Sequence, residues 1–163
     1  MTQTQQGGGR EASVSLNIFV DGDACPVKEE VYRVARRTGV PVTVVANSGL
    51  RVPDEPLISR VIVDDKADAA DDYIAERAGE LTIVITADIP LADRCLKASA
   101  TVIAPNGKPF TEASIGSAMA MRSLMQDLRA GGEQIGGPRP FEKRDRSQFL
   151  QALDAAIVRL KNG

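Results

Sequence analysis

Leu16-Asn17-Ile18-Phe19-Val20-Asp21-Gly22-Asp23 is the stretch from which the rest of the chain is read. A short apolar run of this kind predicts a buried strand, and this one closes on two carboxylates flanking a glycine. A second run, Ile83-Val84-Ile85-Thr86, closes on Asp88. Between and after these runs, helical patterns alternate with β-branched segments, which predicts a parallel sheet with right-handed crossovers. In such a sheet the strand ends meet at the carboxyl edge, where these folds keep their sites. Carboxylates gathered there repel one another unless a cation joins them. Oxygen-only ligands suit magnesium or manganese, so the expectation is an acidic metal site at that edge.

Working outward, residues 1–15 are polar and contain Gly7-Gly8-Gly9, which predicts a disordered leader without the apolar core of a signal peptide. Residues 16–163 are expected to form one α/β domain. Cys25-Pro26 opens the first helix, proline being favoured at the first helical position. Val27, Val31, Val34 and Ala35 mark its inner face, and Gly39 its end. Val42 to Ala46 is the second strand, Arg60 to Val63 the third, Leu81 to Thr86 the fourth and Thr101 to Ala104 the fifth. Helices are expected over about Ala67–Ala78, Pro90–Leu96, Thr111–Arg129 and Arg146–Lys161. If strands one to three wind outward and the fourth returns beside the first, the order is 3-2-1-4-5. The switch point then falls between the strands that end in Asp21 and Asp88.

The totals exclude several chemistries. The 163 residues contain no histidine, so Ser-His-Asp and Cys-His catalysts and histidine-ligated zinc are ruled out. Two cysteines, Cys25 and Cys95, cannot build a structural zinc site unaided and form no disulfide framework. Aromatics are 4% with no Trp, leaving few residues for stacking on bases. A net charge of −2 supplies no global attraction to nucleic acid or anionic membranes. No apolar run approaches a membrane span, and the cytoplasm is the expected compartment.

On the helix after strand three, Asp68, Asp71 and Asp72 are spaced i, i+3, i+4 and are expected to share a face. Each alone is an ordinary first-turn acid favoured by the macrodipole; with Asp21, Asp23, Asp88 and Asp93 they compose a candidate metal-binding set. Gly22 is read as leaving open space for a metal or a phosphate. Thr86 either orients a ligand or merely suits a strand. Cys25 and Cys95 are read as small buried residues. In the tail, Arg139, Lys143, Arg144 and Arg146 surround Pro140 and Phe141 in an expected loop. They are either solvated surface or contacts to a phosphodiester backbone.

Asp21-Gly22-Asp23-Ala24-Cys25-Pro26-Val27, Thr86-Ala87-Asp88-Ile89-Pro90-Leu91-Ala92 and Gly137-Pro138-Arg139-Pro140-Phe141 together resemble the YaiI/YqxD family of uncharacterised bacterial proteins. The middle of the chain is also similar to PIN-type nuclease domains, through Ala70-Asp71-Asp72-Tyr73-Ile74-Ala75 and Thr86-Ala87-Asp88. That resemblance implies a PIN-like three-layer sandwich with C-terminal helices. It further implies magnesium- or manganese-dependent cleavage of RNA or DNA phosphodiesters, with Asp21, Asp71 and Asp88 as catalytic ligands. Thr86 and the tail cations Arg139, Lys143, Arg144 and Arg146 would contact single-stranded nucleic acid. The chain departs from the PIN pattern at Pro90, where a further acid is common, and Asp93 is the nearest substitute. Three other readings stay open: a nucleic-acid-binding protein without catalysis, a receiver-like phosphoacceptor domain using Asp64, and an aspartyl-phosphate phosphatase using Asp21 and Asp23.

Overall fold

The computed structural model describes residues 15–66, 68–132 and 140–163. Its centre is a six-stranded sheet: β1 (Asn17–Asp21), β2 (Val42–Ala46), β3 (Ile58–Ile62), β4 (Thr82–Ile85), β5 (Thr101–Ile103) and β6 (Pro109–Phe110). The order is β3-β2-β1-β4-β5-β6, which agrees with the expected 3-2-1-4-5. Only the β5–β6 pair is antiparallel. β6 has two residues, too short for any periodicity to register in the sequence. Val20 pairs with Val44 on one side and Ile85 on the other, so the apolar strand ends lie level across the centre of the sheet.

Both faces of this sheet are covered, which explains why its strands are nearly continuous in apolar residues. Alternate side chains supply two cores. Ile18, Val20, Val42, Val44, Ile83 and Ile85 pack beneath α1 (Lys28–Thr38) and α5 (Lys143–Asn162). Phe19, Val45, Val84 and Val102 pack against α2 (Ala69–Arg77), α3 (Ile89–Lys97) and the start of α4 (Glu112–Ala130). Phe149 and Leu153 of α5 are fully buried in the first core. Ile74 and Leu91 hold the same rank in the second. The result is a three-layer α/β/α sandwich.

Two element boundaries bear on the site. α1 begins at Lys28 rather than at Pro26, so Cys25 and Pro26 belong to the connection between the strand and the helix. α5 begins at Lys143, a turn earlier than expected. Its start is set by a reciprocal capping box: Glu142 and Asp145 each accept a hydrogen bond from the other's end of the first turn. Lys143, Arg144 and Arg146 are therefore first-turn helical residues and not loop residues. Residues 1–14 and Arg139 lie outside the described residues, so the expected leader and one of the four tail cations have no structural account.

Candidate functional site

Because β1, β2, β4 and β5 are parallel, Asp21, Asn47, Thr86 and Ala104 all emerge at one edge of the sheet. A short relay joins the first and fourth strands there. The Thr86 hydroxyl donates to Asp21 Oδ2 at 2.9 Å and accepts the Asp88 backbone N–H at 3.0 Å. Thr86 is 2% exposed, and both bonds are internal to the site. Its hydroxyl therefore positions Asp21 and Asp88 and is not free to be a substrate donor. Asp88 is also the N-cap of α3, its Oδ1 accepting Leu91 N–H at 2.9 Å. The second carboxylate oxygen is not used by the cap.

Asp23 sits in the single 3₁₀ turn Gly22–Ala24 and does not cap α1, whose N-cap is Val27. Its carboxylate instead accepts the Asn47 backbone N–H at 3.2 and 3.3 Å, tying the end of β1 to the end of β2. The Asn47 carboxamide nitrogen, in the orientation that satisfies both groups, reaches the same carboxylate at 3.3 Å. Gly22 does not leave the open space expected of it. A Cβ there would lie 2.7 Å from Val44 Cγ1 and 3.1 Å from Leu50 Cδ2, so that volume is filled by the core and the loop after β2.

α2 brings the third acid. Tyr73 packs edge-on to Phe19 of β1, with ring centroids 6.2 Å apart, and the Arg77 guanidinium covers its other side at 3.6 Å. This contact packs α2 against β1. Asp71, half-buried, has its pKa pushed up to about 6, by burial first and then by the charges of Asp88, Asp21 and Asp68, with Arg94 acting in the opposite direction. Burial also raises Asp21; the Thr86 hydrogen bond opposes this, and Asp88 and Asp23 add to it. Asp21, Asp71 and Asp88 thus form one electrostatically coupled group.

The remaining acids are placed differently. Asp68 is the N-cap of α2, with φ −107° and ψ 6°; it stands just before the helix, and its charge adds to the rise of Asp71. Asp72 is exposed and bonded to Arg94 at 2.8 Å; Asp93 is bonded to Lys97 at 2.9 Å. Among the described residues no three acidic or cysteine side chains stand close enough to form a ready-made metal-binding group. The donors are chemically suited to a hard cation, and the carboxylates would have to draw together around one.

This coupling sets a pH dependence. Asp71 holds its proton more tightly folded than unfolded, so its stabilising contribution is complete below its ordinary value of 3.8. That contribution is lost as pH rises through about 6. At pH 7.5 without added metal, Asp71→Asn should raise stability by about 1 kcal/mol, after allowance for solvent screening of a half-exposed group. A thermal melt should register about 3 °C, and the gain should vanish near pH 4. A gain that is equal at both pH values would trace to packing and not to charge.

The model of the family described as "Uncharacterized BCR, YaiI/YqxD family" matches residues 19–159. The chain belongs to the YaiI/YqxD family. A UPF0178 protein of Sphingopyxis alaskensis is 69% identical over 147 residues, 90% of this chain and 96% of the relative. Another, of Nitrobacter winogradskyi, is 65% identical over 147 residues, 90% and 94% of the two chains. A third, of Rhodopseudomonas palustris strain BisB18, is 60% identical over 144 residues, 88% and 93%. No solved structure matches the chain.

Two further features of this YaiI/YqxD protein bear on the site. Arg146 is a brace: its Nη1 donates to Pro26 O at 2.8 Å and lies 3.3 Å from Glu30, whose side chain is 10% exposed. Its guanidinium also stacks on Phe141 at 4.9 Å. It thereby fastens α5 to the connection that follows Asp23. Arg144 pairs with Glu142 on the surface, and Lys143 is exposed. Arg146→Ala should consequently cost about 1–2 kcal/mol by stranding the Glu30 carboxylate, while Arg144→Ala stays within about 0.5 kcal/mol. Urea midpoints of the two variants measure this, and equal midpoints would return Arg146 to the solvated surface. The cysteines are inert by environment: both are buried and free, and burial pushes Cys95 up to about 11 and raises Cys25.

The receiver-like layout fares poorly. Asp64 follows β3, and β2 separates β3 from β1, so Asp64 emerges at the sheet margin and is exposed. An acceptor aspartate must stand beside the other acids, and this one does not. No described helix is long and apolar enough to cross a membrane.

Proposed function

We propose that this chain is a metal-dependent phosphodiesterase acting on single-stranded nucleic acid, RNA or DNA. The observation that carries the reading is the coupled set Asp21, Asp71 and Asp88 at the carboxyl edge, where burial first, and then repulsion from Asp88 and Asp21, raise Asp71 to about 6. A divalent cation would relieve that repulsion, and an all-oxygen donor set suits magnesium or manganese. Asp21, Asp71 and Asp88 would hold it, with Asp23 and Asp68 nearby. Asp72 and Asp93 could take part only by giving up Arg94 and Lys97. Bound there, such an ion supplies positive charge to the phosphoryl oxygens and acidity to a water.

The chain's own residues have separate tasks in this reading. Thr86 keeps Asp21 and Asp88 in register, through one donated and one accepted hydrogen bond. Asp23 and Asn47 hold the β1 and β2 ends together. Lys143 and Arg144, with Arg139 before them in sequence, can take up backbone phosphates. Arg146 shapes the surface from which they do so.

Single-turnover cleavage of end-labelled single-stranded RNA is the test, with protein freed of contaminating nuclease. Slow cleavage is expected, faster with manganese than with magnesium and stopped by chelator. Cleavage that ignores chelator would remove the aspartates from the mechanism. Chelator-insensitive binding with no cleavage in any metal would favour a binding protein on the same scaffold.

A further inference from the structure

A cavity of about 310 Å³ is bounded by Asn106, Lys108, Pro109, Phe110 and Ser114, between the turn from β5 into β6 and the first turns of α4. It lies where β5 leaves the sheet. Thr86 N–H donates to Ile103 O at 3.2 Å, so the relay that holds Asp21 and Asp88 is bonded to the strand from which this cavity springs. β5 is the parallel neighbour of β4, so the turn that walls the cavity leaves the sheet at the same edge as Thr86 and the aspartates.

The turn that forms its wall is rigid. Ala104 N–H donates to Lys108 O at 2.9 Å, and Gly107 N–H to Ala104 O at 2.8 Å. Lys108 N–H donates to Asn106 Oδ1 at 3.0 Å. Gly107 is seated against the α5 backbone. These bonds engage the backbone of Lys108 and leave its exposed ammonium without a hydrogen-bond or ion-pair partner among the described residues. By contrast, Arg94 and Lys97, on α3, are each bonded to an aspartate. The Asn106 carboxamide nitrogen remains available as a donor, and half-buried Phe110 offers an aromatic surface beside Pro109.

A cation, an amide donor and an aromatic surface in a cavity of this volume are the requirements of a nucleotide: a phosphate, a base edge and a base face. We propose that this cavity is a nucleotide subsite, holding the base on Phe110 and the phosphate on Lys108 for a unit that flanks the bond that is cut. This rests on the phosphodiesterase reading for its purpose, but its binding can be measured without metal or cleavage.

The probes are labelled oligouridine and oligothymidine hexamers, titrated in chelator by fluorescence anisotropy against the full chain. Lys108→Ala should weaken binding and lower the salt slope by about 1. Phe110→Leu, which keeps an apolar side chain in the wall, should weaken it about tenfold. Comparable loss for the two hexamers supports recognition of base and phosphate; loss for oligouridine alone would place the ribose hydroxyl in the cavity and still support it. Binding that is absent, or unchanged in Lys108→Ala, overturns the proposal, and that variant is exposed and should fold normally. Metal-dependent cleavage that survives unchanged in Lys108→Ala would leave the aspartate reading standing and remove this one. Lys108-dependent binding without cleavage in any metal would do the reverse.

Discussion

Asp88→Asn should lower single-turnover cleavage of single-stranded RNA by about 10²-fold or more, the loss expected when one preorganised charge at the reacting phosphate is removed. The substitution suits the question because Asp88 has two roles that asparagine separates. Its Oδ1 caps α3 by accepting Leu91 N–H at 2.9 Å, and asparagine caps a helix about as well as aspartate. The Thr86 relay uses the backbone N–H of Asp88, which is unaltered. The fold should therefore persist, and the charge available to a cation should not. In chelator the variant should be as stable as the parent or more so, because Asp71 loses a charge that pushes it up. With manganese, the parent should gain thermal stability by mass action and the variant should gain less. Cleavage that survives in Asp88→Asn with an intact melt would show that these aspartates are not the catalyst.

Gly107→Ala should destabilise the fold by about 3 kcal/mol, from two causes that add. Gly107 has φ +90°, a region that costs a non-glycine residue about 1–2 kcal/mol. A Cβ there would also fall 2.6 Å from the Gln148 carbonyl carbon and 2.8 Å from Phe149 N. These are backbone atoms of α5 and cannot rotate away, so either the β5–β6 turn or the helix must shift. Phe149 is fully buried in the core below α1, and a shift there would loosen the packing. Equilibrium unfolding in urea measures the loss. A cost below about 1 kcal/mol would mean that the turn relaxes freely and that its wall is not rigid.

The central strands were legible because their chemistry is local. Three of four consecutive residues in Ile18-Phe19-Val20-Asp21 are bulky and apolar, and a sheet covered on both faces needs such runs. Asp21, Thr86 and Asp88 could be assigned to strand ends on the same evidence. Other features depended on partners distant in the chain. Asp68, Asp71 and Asp72 have the spacing of one helical face, yet the helix begins at Ala69 and Asp72 turns to Arg94. Arg146 sits in a cationic stretch that reads as surface, and its contact with Glu30 spans 116 residues. Gly22 between two acids suggested room for a ligand, and Val44 and Leu50 fill that room. Lys108 and Phe110 carry no sequence signal of a cavity, since its walls come from a turn, a two-residue strand and the first turns of α4.

By itself, the sequence determined the α/β class and the family, because apolar periodicity and short motifs are properties of consecutive residues; the strand order, one expected arrangement, was decided by the pairing of β1 with both β2 and β4. It also excluded histidine chemistry outright. Tertiary structure alone decided which carboxylates interact. Charge coupling depends on distance and burial, and these bring Asp71 to Asp21 and Asp88 while leaving Asp72 and Asp93 with cations of α3. It likewise decided that Thr86 and Arg146 position other groups, since the Thr86 hydroxyl makes both its bonds within the site and Arg146 Nη1 joins α5 to Pro26 and Glu30.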